Sequence, residues 1–149
     1  MTDNADSFAV PTDFEQPCPE FLGTAINTLF DRAAERWSAR IAIKEFRHHW
    51  TYRELQQHVD RVASLLAQAG AADQDRPVVL WLPNGASVIA AMLATLKAGG
   101  FYVVIDPRYP VERNSAILNN SEAGWVITEP VLTRLKSAVR HALGRAPRS

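Results

Sequence analysis

Between Leu96 and Pro110 the chain reads L-K-A-G-G-F-Y-V-V-I-D-P-R-Y-P, a segment that joins a helix end, a buried strand and a stiff exit. Lys97 stands where a cation complements the negative end of a helix dipole, and Gly99 can take the left-handed conformation that ends a helix. Phe101 to Ile105 is an unbroken apolar run, which suits a strand covered on both faces. Asp106, Pro107 and Pro110 then stop the strand, because proline fixes its own φ and offers no amide to a ladder.

The flanking sequence repeats this alternation. From Thr24 onward Ile26, Leu29, Phe30, Ala33, Ala34 and Trp37 recur at steps of three and four, which predicts a helix with one apolar face. Ile41 to Phe46 reads as a short strand. Thr51 and Glu54 have capping-box spacing, a cap worth about 1 kcal/mol, and Leu55, Val59, Val62, Ala63 and Leu66 form the buried stripe of a helix that Gly70 ends. Pro77 opens the apolar run Val78 to Leu82, which suits an interior parallel strand, and Pro83-Asn84-Gly85 turns it into an Ala-rich helix from about Ala86 to Ala98. Apolar residues surround that helix, so it is expected to lie sandwiched. A shorter helix follows Pro110 to about Asn119, a strand spans Trp125 to Thr128, and Pro130 opens a last helix carrying Val131, Leu132, Leu135, Val139 and Leu143. Four short strands alternating with helices predict an α/β fold with a parallel sheet and right-handed crossovers. The order of the strands, and whether all four share one sheet, stay open at this level.

Three regions are expected: an extended arm over 1–22, a folded unit over 23–143 and a tail over 144–149. The formal charge is zero and 47 % of residues are apolar, which gives no reason to expect a nucleic acid or an anionic membrane as partner. Asp3, Asp6, Asp13, Glu15 and Glu20 precede the first basic residue, Arg32, while Arg134, Lys136, Arg140, Arg145 and Arg148 follow the last acidic one, Glu129. Both ends read as solvated segments. Cys18 is the single cysteine and the first residues lack the basic and apolar regions of a signal peptide, so a cytoplasmic location is the expectation. The apolar run Ala86 to Leu96 falls short of the roughly 18 to 20 residues that a membrane span needs.

In a nucleotide-binding sheet the ligand lies at the carboxyl ends of the strands, here the loops after Leu82, Ile105 and Thr128. Pro83-Asn84-Gly85 could receive an anion, but one glycine gives no phosphate cradle, and the seven glycines nowhere form a Gly-rich loop. His48, His49 and His58 have no second ligand at metal spacing. Asp73 and Asp75 lack the later glycine and glutamate of a calcium loop, and Cys18 sits between prolines with no helix terminus to activate it. Asp106 is the sharpest single candidate, with a turn formed through backbone amides as its better reading; Arg113 could pair with Glu112 or a turn carbonyl. No catalytic, cofactor-binding or metal-binding residue is assigned.

Leu29-Phe30-Asp31-Arg32-Ala33-Ala34, Ile41-Ala42-Ile43, Thr51-Tyr52-Arg53-Glu54-Leu55, Leu96-Lys97-Ala98-Gly99 and Asp106-Pro107 with Tyr109-Pro110 and Glu112-Arg113 together carry a resemblance. From about Ile26 to Thr128 the chain resembles the N-terminal portion of a nonribosomal peptide synthetase adenylation domain, in the adenylate-forming superfamily of AMP-binding enzymes. Val104 departs from that family's usual proline before the Ile-Asp step. The resemblance implies, for full-length members, ATP and Mg2+, an acyl adenylate formed with release of pyrophosphate, and phosphopantetheine as the acyl acceptor. It also implies that the phosphate-binding loop, the substrate pocket and the mobile catalytic lysine lie beyond Ser149. The chain alone is then expected to be inactive and to bind no cofactor. Its partners would be the remainder of the adenylation domain or a carrier-protein module, and apolar surface left uncovered favours self-association. An acyl-CoA ligase fragment and a non-catalytic α/β interaction domain are the alternatives; the abrupt ending Gly-Arg-Ala-Pro-Arg-Ser would suit a truncated gene.

Overall fold

Val78, Val79 and Leu80 have nowhere to hide except between two layers, and the computed structural model, which describes residues 23–46, 48–71 and 75–128, gives them both layers. In chain order the elements are α1 (Ile26–Arg36), β1 (Ile41–Lys44), β2 (His49–Thr51), α2 (Tyr52–Gln68), β3 (Val78–Trp81), α3 (Ala86–Lys97), β4 (Tyr102–Ile105), α4 (Val111–Asn120) and β5 (Trp125–Thr128). The expected arm, last helix and tail lie outside the described residues.

The strands form two sheets. β3 is the centre of a parallel sheet of order β4-β3-β5, with Leu80 level with Val104 on one side and Ile127 on the other. β1 does not join it but pairs antiparallel with β2, with an irregular register between Ile41 and Ile43. The expected four strands therefore divide three and one. β2 went unpredicted because His49-Trp50-Thr51 is short and its burial shows no apolar alternation. The first strand also stops at Lys44 rather than Phe46, which is fully exposed.

Alternation along β3 sorts the core. Val78, Leu80 and Leu82 face α2 and α3, joined there by Ile127 and the stripe Leu55, Val59, Val62 and Leu66. Val79 faces the other way and meets Ile105, Val126 and Ala123, with Ile117 and Leu118 of α4 against them. Thus α3 crosses from β3 to β4 over one face, and α4 crosses from β4 to β5 over the other. The two steps run in opposite directions on opposite faces, so the crossovers share one hand. α3 is buried along most of its surface, at Ala86, Val88, Ala90, Ala91, Leu93, Ala94 and Thr95, as a sandwiched helix should be.

The expectation that Phe101 to Ile105 is covered on both faces fails in part. β4 begins at Tyr102, Phe101 is 51 % exposed and Val104 is 37 % exposed, because β4 pairs with β3 alone among the described strands. An apolar run reports the need for cover, not its presence.

Helix ends follow the local chemistry. Thr51 Oγ1 accepts from the Glu54 amide at 3.2 Å, and Glu54 Oε2 accepts from the Thr51 amide at 2.8 Å, completing the capping box. Gly70 after α2 and Gly99 after α3 have φ of 70° and 87°, the left-handed region in which a side chain would be strained. Thr51→Ala removes the acceptor for one free helix amide and is expected to lower stability by about 1 kcal/mol, read as the midpoint shift in urea unfolding.

Candidate functional site

Where two neighbouring parallel strands send their helices to opposite faces, a crevice opens at their carboxyl ends. Here that place lies between β3 and β4, and its walls are the loop Pro83-Asn84-Gly85 and the turn Asp106 to Pro110.

On the β3 side the amino terminus of α3 offers free amides. One is already taken: the Ala86 amide donates to Glu45 Oε1 at 2.7 Å. Glu45 comes from the β1–β2 connection, and its other oxygen accepts from Trp50 Nε1 at 3.1 Å. The Ala86 amide first, then the Trp50 indole and the charge of His48, hold the Glu45 carboxyl below its ordinary range, although partial burial opposes them. Sequence reasoning missed Glu45. No local signal marks it, since its partner is 41 positions away.

On the β4 side Asp106 closes a turn. Its Oδ1 accepts from the Arg108 amide at 2.9 Å, and the Arg108 guanidinium reaches the same carboxylate at 2.6 Å. The Arg108 side chain first, then its amide, bring the Asp106 carboxyl down to about 2. The turn reading of Asp106 is therefore the observed one. Asn114, 2 % exposed, donates to the carbonyls of Asp106 and Tyr109 at 3.2 Å each. Arg113 pairs with neither Glu112 nor a turn carbonyl in the contacts seen; its guanidinium lies 4.4 Å from the centre of the Tyr109 ring.

The remaining candidates lie elsewhere. His48 and His58 flank the Trp50 ring at 5.0 and 5.7 Å, and among the described residues no three His, Cys, Asp or Glu side chains could hold a metal ion. His49 and Asp75 are exposed, whereas Cys18 and Asp73 fall outside the described residues. Lys97 does more than complement a helix dipole: its ammonium binds Asp31 at 2.8 Å and Asp60 at 2.7 Å, tying α3 to α1 and α2. Burial pulls the Lys97 pKa down, but the two carboxylates outweigh it and hold it above 10.5.

These shifts define a pH profile. Burial first, then the charge of Arg61, holds His58 below its ordinary 6.5, so the unfolded chain takes up that proton before the folded one does. Stability should begin to fall as pH drops through 6.5, and His58→Gln should remove that step. Glu45 and Asp106, both depressed, stabilise the fold above their unfolded values of 4.5 and 3.8, and their contribution is lost as pH falls further. Urea midpoints measured from pH 7.5 to 3 check both steps.

The arrangement is a closed pair of loops in which the carboxylates are held by their own chain. Among the described residues no helix is long and apolar enough to cross a membrane. The model of the AMP-binding enzyme family matches residues 30–148. A plipastatin synthase of Bacillus subtilis is 36 % identical over 118 residues, which are 79 % of this chain and 5 % of that protein. Tyrocidine synthase 3 of Brevibacillus parabrevis is 30 % identical over 141 residues, 93 % of this chain and 2 % of that protein. The chain thus spans a small part of the relatives it matches. In fold it is similar to the N-terminal subdomain of Klebsiella oxytoca NpsA, solved with 3-hydroxyanthranilyl-AMSN, at a TM-score of 0.65 and 21 % identity over 84 % of this chain and 32 % of that one. With the doubly wound sheet and the Asp106 turn in place, the match over 30–148 shows that the chain belongs to the AMP-binding enzyme family.

Proposed function

We propose that this chain supplies the amino-terminal scaffold of an amino-acid-activating adenylation domain in nonribosomal peptide biosynthesis. The observation that carries this reading is its likeness to peptide synthases over 79 % and 93 % of its length. In the whole enzyme ATP and Mg2+ would yield an acyl adenylate and pyrophosphate, and the acyl group would pass to phosphopantetheine on a carrier protein. The described residues do not fit ATP or Mg2+. The Ala86 amide at the crevice is held by Glu45, and Asp106 is held by Arg108, so neither is poised for a phosphate or a cation. No step of the chemistry is assigned to them.

The chain's part is architectural: it presents the carboxyl ends of β3 and β4 to whatever completes the domain. A cytoplasmic setting accords with this reading. ATP–pyrophosphate exchange with a panel of amino acids tests it. The chain alone should give none, while the chain joined to the downstream part of a plipastatin synthase adenylation domain should restore it. Exchange by the chain alone would refute the scaffold reading, and a joined protein that folds yet forms only CoA thioesters would favour an acyl-CoA ligase origin.

A further inference from the structure

Among the described strands β4 has a partner on one edge only, and its other edge is apolar throughout. Val78 of β3, level with Tyr102, donates its amide to the Phe101 carbonyl at 2.9 Å. In a parallel ladder alternate residues turn their backbone groups to the same neighbour. Val103 and Ile105 therefore also face β3, while the amides and carbonyls of Tyr102 and Val104 point to the outer edge. From Phe101 to Ile105 there is no charge and no proline, the register with β3 is regular, and Phe101 and Val104 are exposed. Charges, prolines and bulges are what blunt an edge against pairing, and this one carries none of them. β5, the other outer strand of the sheet, has no exposed residue along Trp125–Thr128.

Position 104 is also where valine replaces the family's usual proline in this chain. A proline there would offer no amide to the outer edge, yet would leave the β3 ladder intact, because that ladder uses the amides of Val103 and Ile105. With valine the edge has its donor. It also complements itself. An antiparallel second copy with Val103 on the twofold axis sets Tyr102 opposite the partner's Val104 and Phe101 opposite the partner's Ile105. Opposed residues then share a face: Tyr102 and Val104 lie on the side of α2 and α3, Val103 and Ile105 on the side of α4. Asp106 falls beside the partner's Gly100, so no charge meets its like.

We propose that β4 is a docking edge for a second copy of this chain, the two strands pairing antiparallel about Val103 into one continuous sheet. Tyr102 of each copy exchanges both backbone hydrogen bonds with the partner's Val104, and the exposed Val104 side chain gains the partner's Tyr102 as a cover. The contact is isologous, so it closes at two copies. A four-residue strand buries far less than a standard interface, so the pair is weak and forms only as concentration rises.

Sedimentation equilibrium of the full chain over a concentration series tests this. The weight-average mass should climb from that of one chain toward that of two, and Val104→Pro should hold it at one. Because Val104→Pro could fail to fold, cysteine cross-linking in a Cys18→Ser background gives a second readout. Residues opposed on the axis have Cβ atoms about 4.5 to 5.5 Å apart, within reach of a disulfide once diamide oxidises the two thiols. Val103→Cys should therefore give a covalent dimer several-fold faster than Phe101→Cys, which is exposed but far from its own copy in this register. A chain that stays single at every concentration would overturn the proposal and leave the edge to a strand of another protein. Growth beyond two copies, association undiminished in a folded Val104→Pro chain, or equal cross-linking at 101 and 103 would overturn it as well.

Discussion

Truncating Leu80 to alanine should lower the unfolding free energy by about 3 to 5 kcal/mol. Leu80 is fully buried in the central strand, with Val104 and Ile127 level with it on either side and α2 and α3 above. A strand hydrogen-bonded along both edges cannot sag into the space left by the lost methyls, so most of the cavity should persist. A domain has roughly 5 to 15 kcal/mol in total, so this one change brings the chain close to unfolding. Val104→Ala occupies the same row of the sheet but is 37 % exposed, and it should cost less than about 1 kcal/mol. Because Leu80→Ala itself can be too unstable to measure, Ile127→Val provides a milder probe, expected near 1 kcal/mol. Urea unfolding followed by tryptophan fluorescence compares the three. Equal losses at Leu80 and Val104 would mean that the sheet face over β3 is not packed as described.

Gly85→Ala should cost about 2 to 4 kcal/mol, through two separable effects. The residue has φ 155° and ψ −168°, a backbone that is almost restricted to glycine. Its added Cβ would also lie 2.5 Å from Glu45 Oε1, a collision that forces the carboxylate off the Ala86 amide. Glu45→Ala alone loses the two hydrogen bonds but relieves no strain. The double variant should therefore be less destabilised than the sum of the two singles, since the collision no longer exists. Unfolding midpoints at pH 7 for the four proteins give the coupling. Strict additivity would show that Glu45 does not reach α3 in solution. The Glu45 carboxyl is held below its ordinary 4.5, so the gap between wild type and Glu45→Ala should narrow as pH falls below that value.

Much of this fold is legible in the sequence because its signals are local. The apolar stripe of α2, the capping box at Thr51 and Glu54, the glycine ends at 70 and 99 and the buried run of β3 each depend on residues a few positions apart. What escaped notice depends on distance along the chain. β2 is defined by pairing with β1 rather than by its own composition, and the separation of that hairpin from the main sheet follows from its position beside α2. Glu45 looks like an ordinary loop acid until α3 is placed against it. Lys97 reads as a dipole partner, yet its two carboxylates come from different helices. Family membership was legible for a third reason: Asp106-Pro107, Tyr109-Pro110 and Glu112-Arg113 form a local spelling, although two of the side chains that hold the turn, Arg108 and Asn114, are not part of it.

The strand order has a consequence for how the chain acquires its shape. β3 is the first strand of its sheet to be synthesised, but both of its ladder partners come later, and β5 arrives only after α3, β4 and α4. Until then one edge of the most apolar strand has no partner, and closing the long loop back to it must precede the reward of pairing. The nascent chain thus passes through a stage with α1, the hairpin and α2 complete and the middle strand half-clothed. That interval is when a ribosome-associated holdase would have a hydrophobic segment to grip, and when two growing chains could exchange strands.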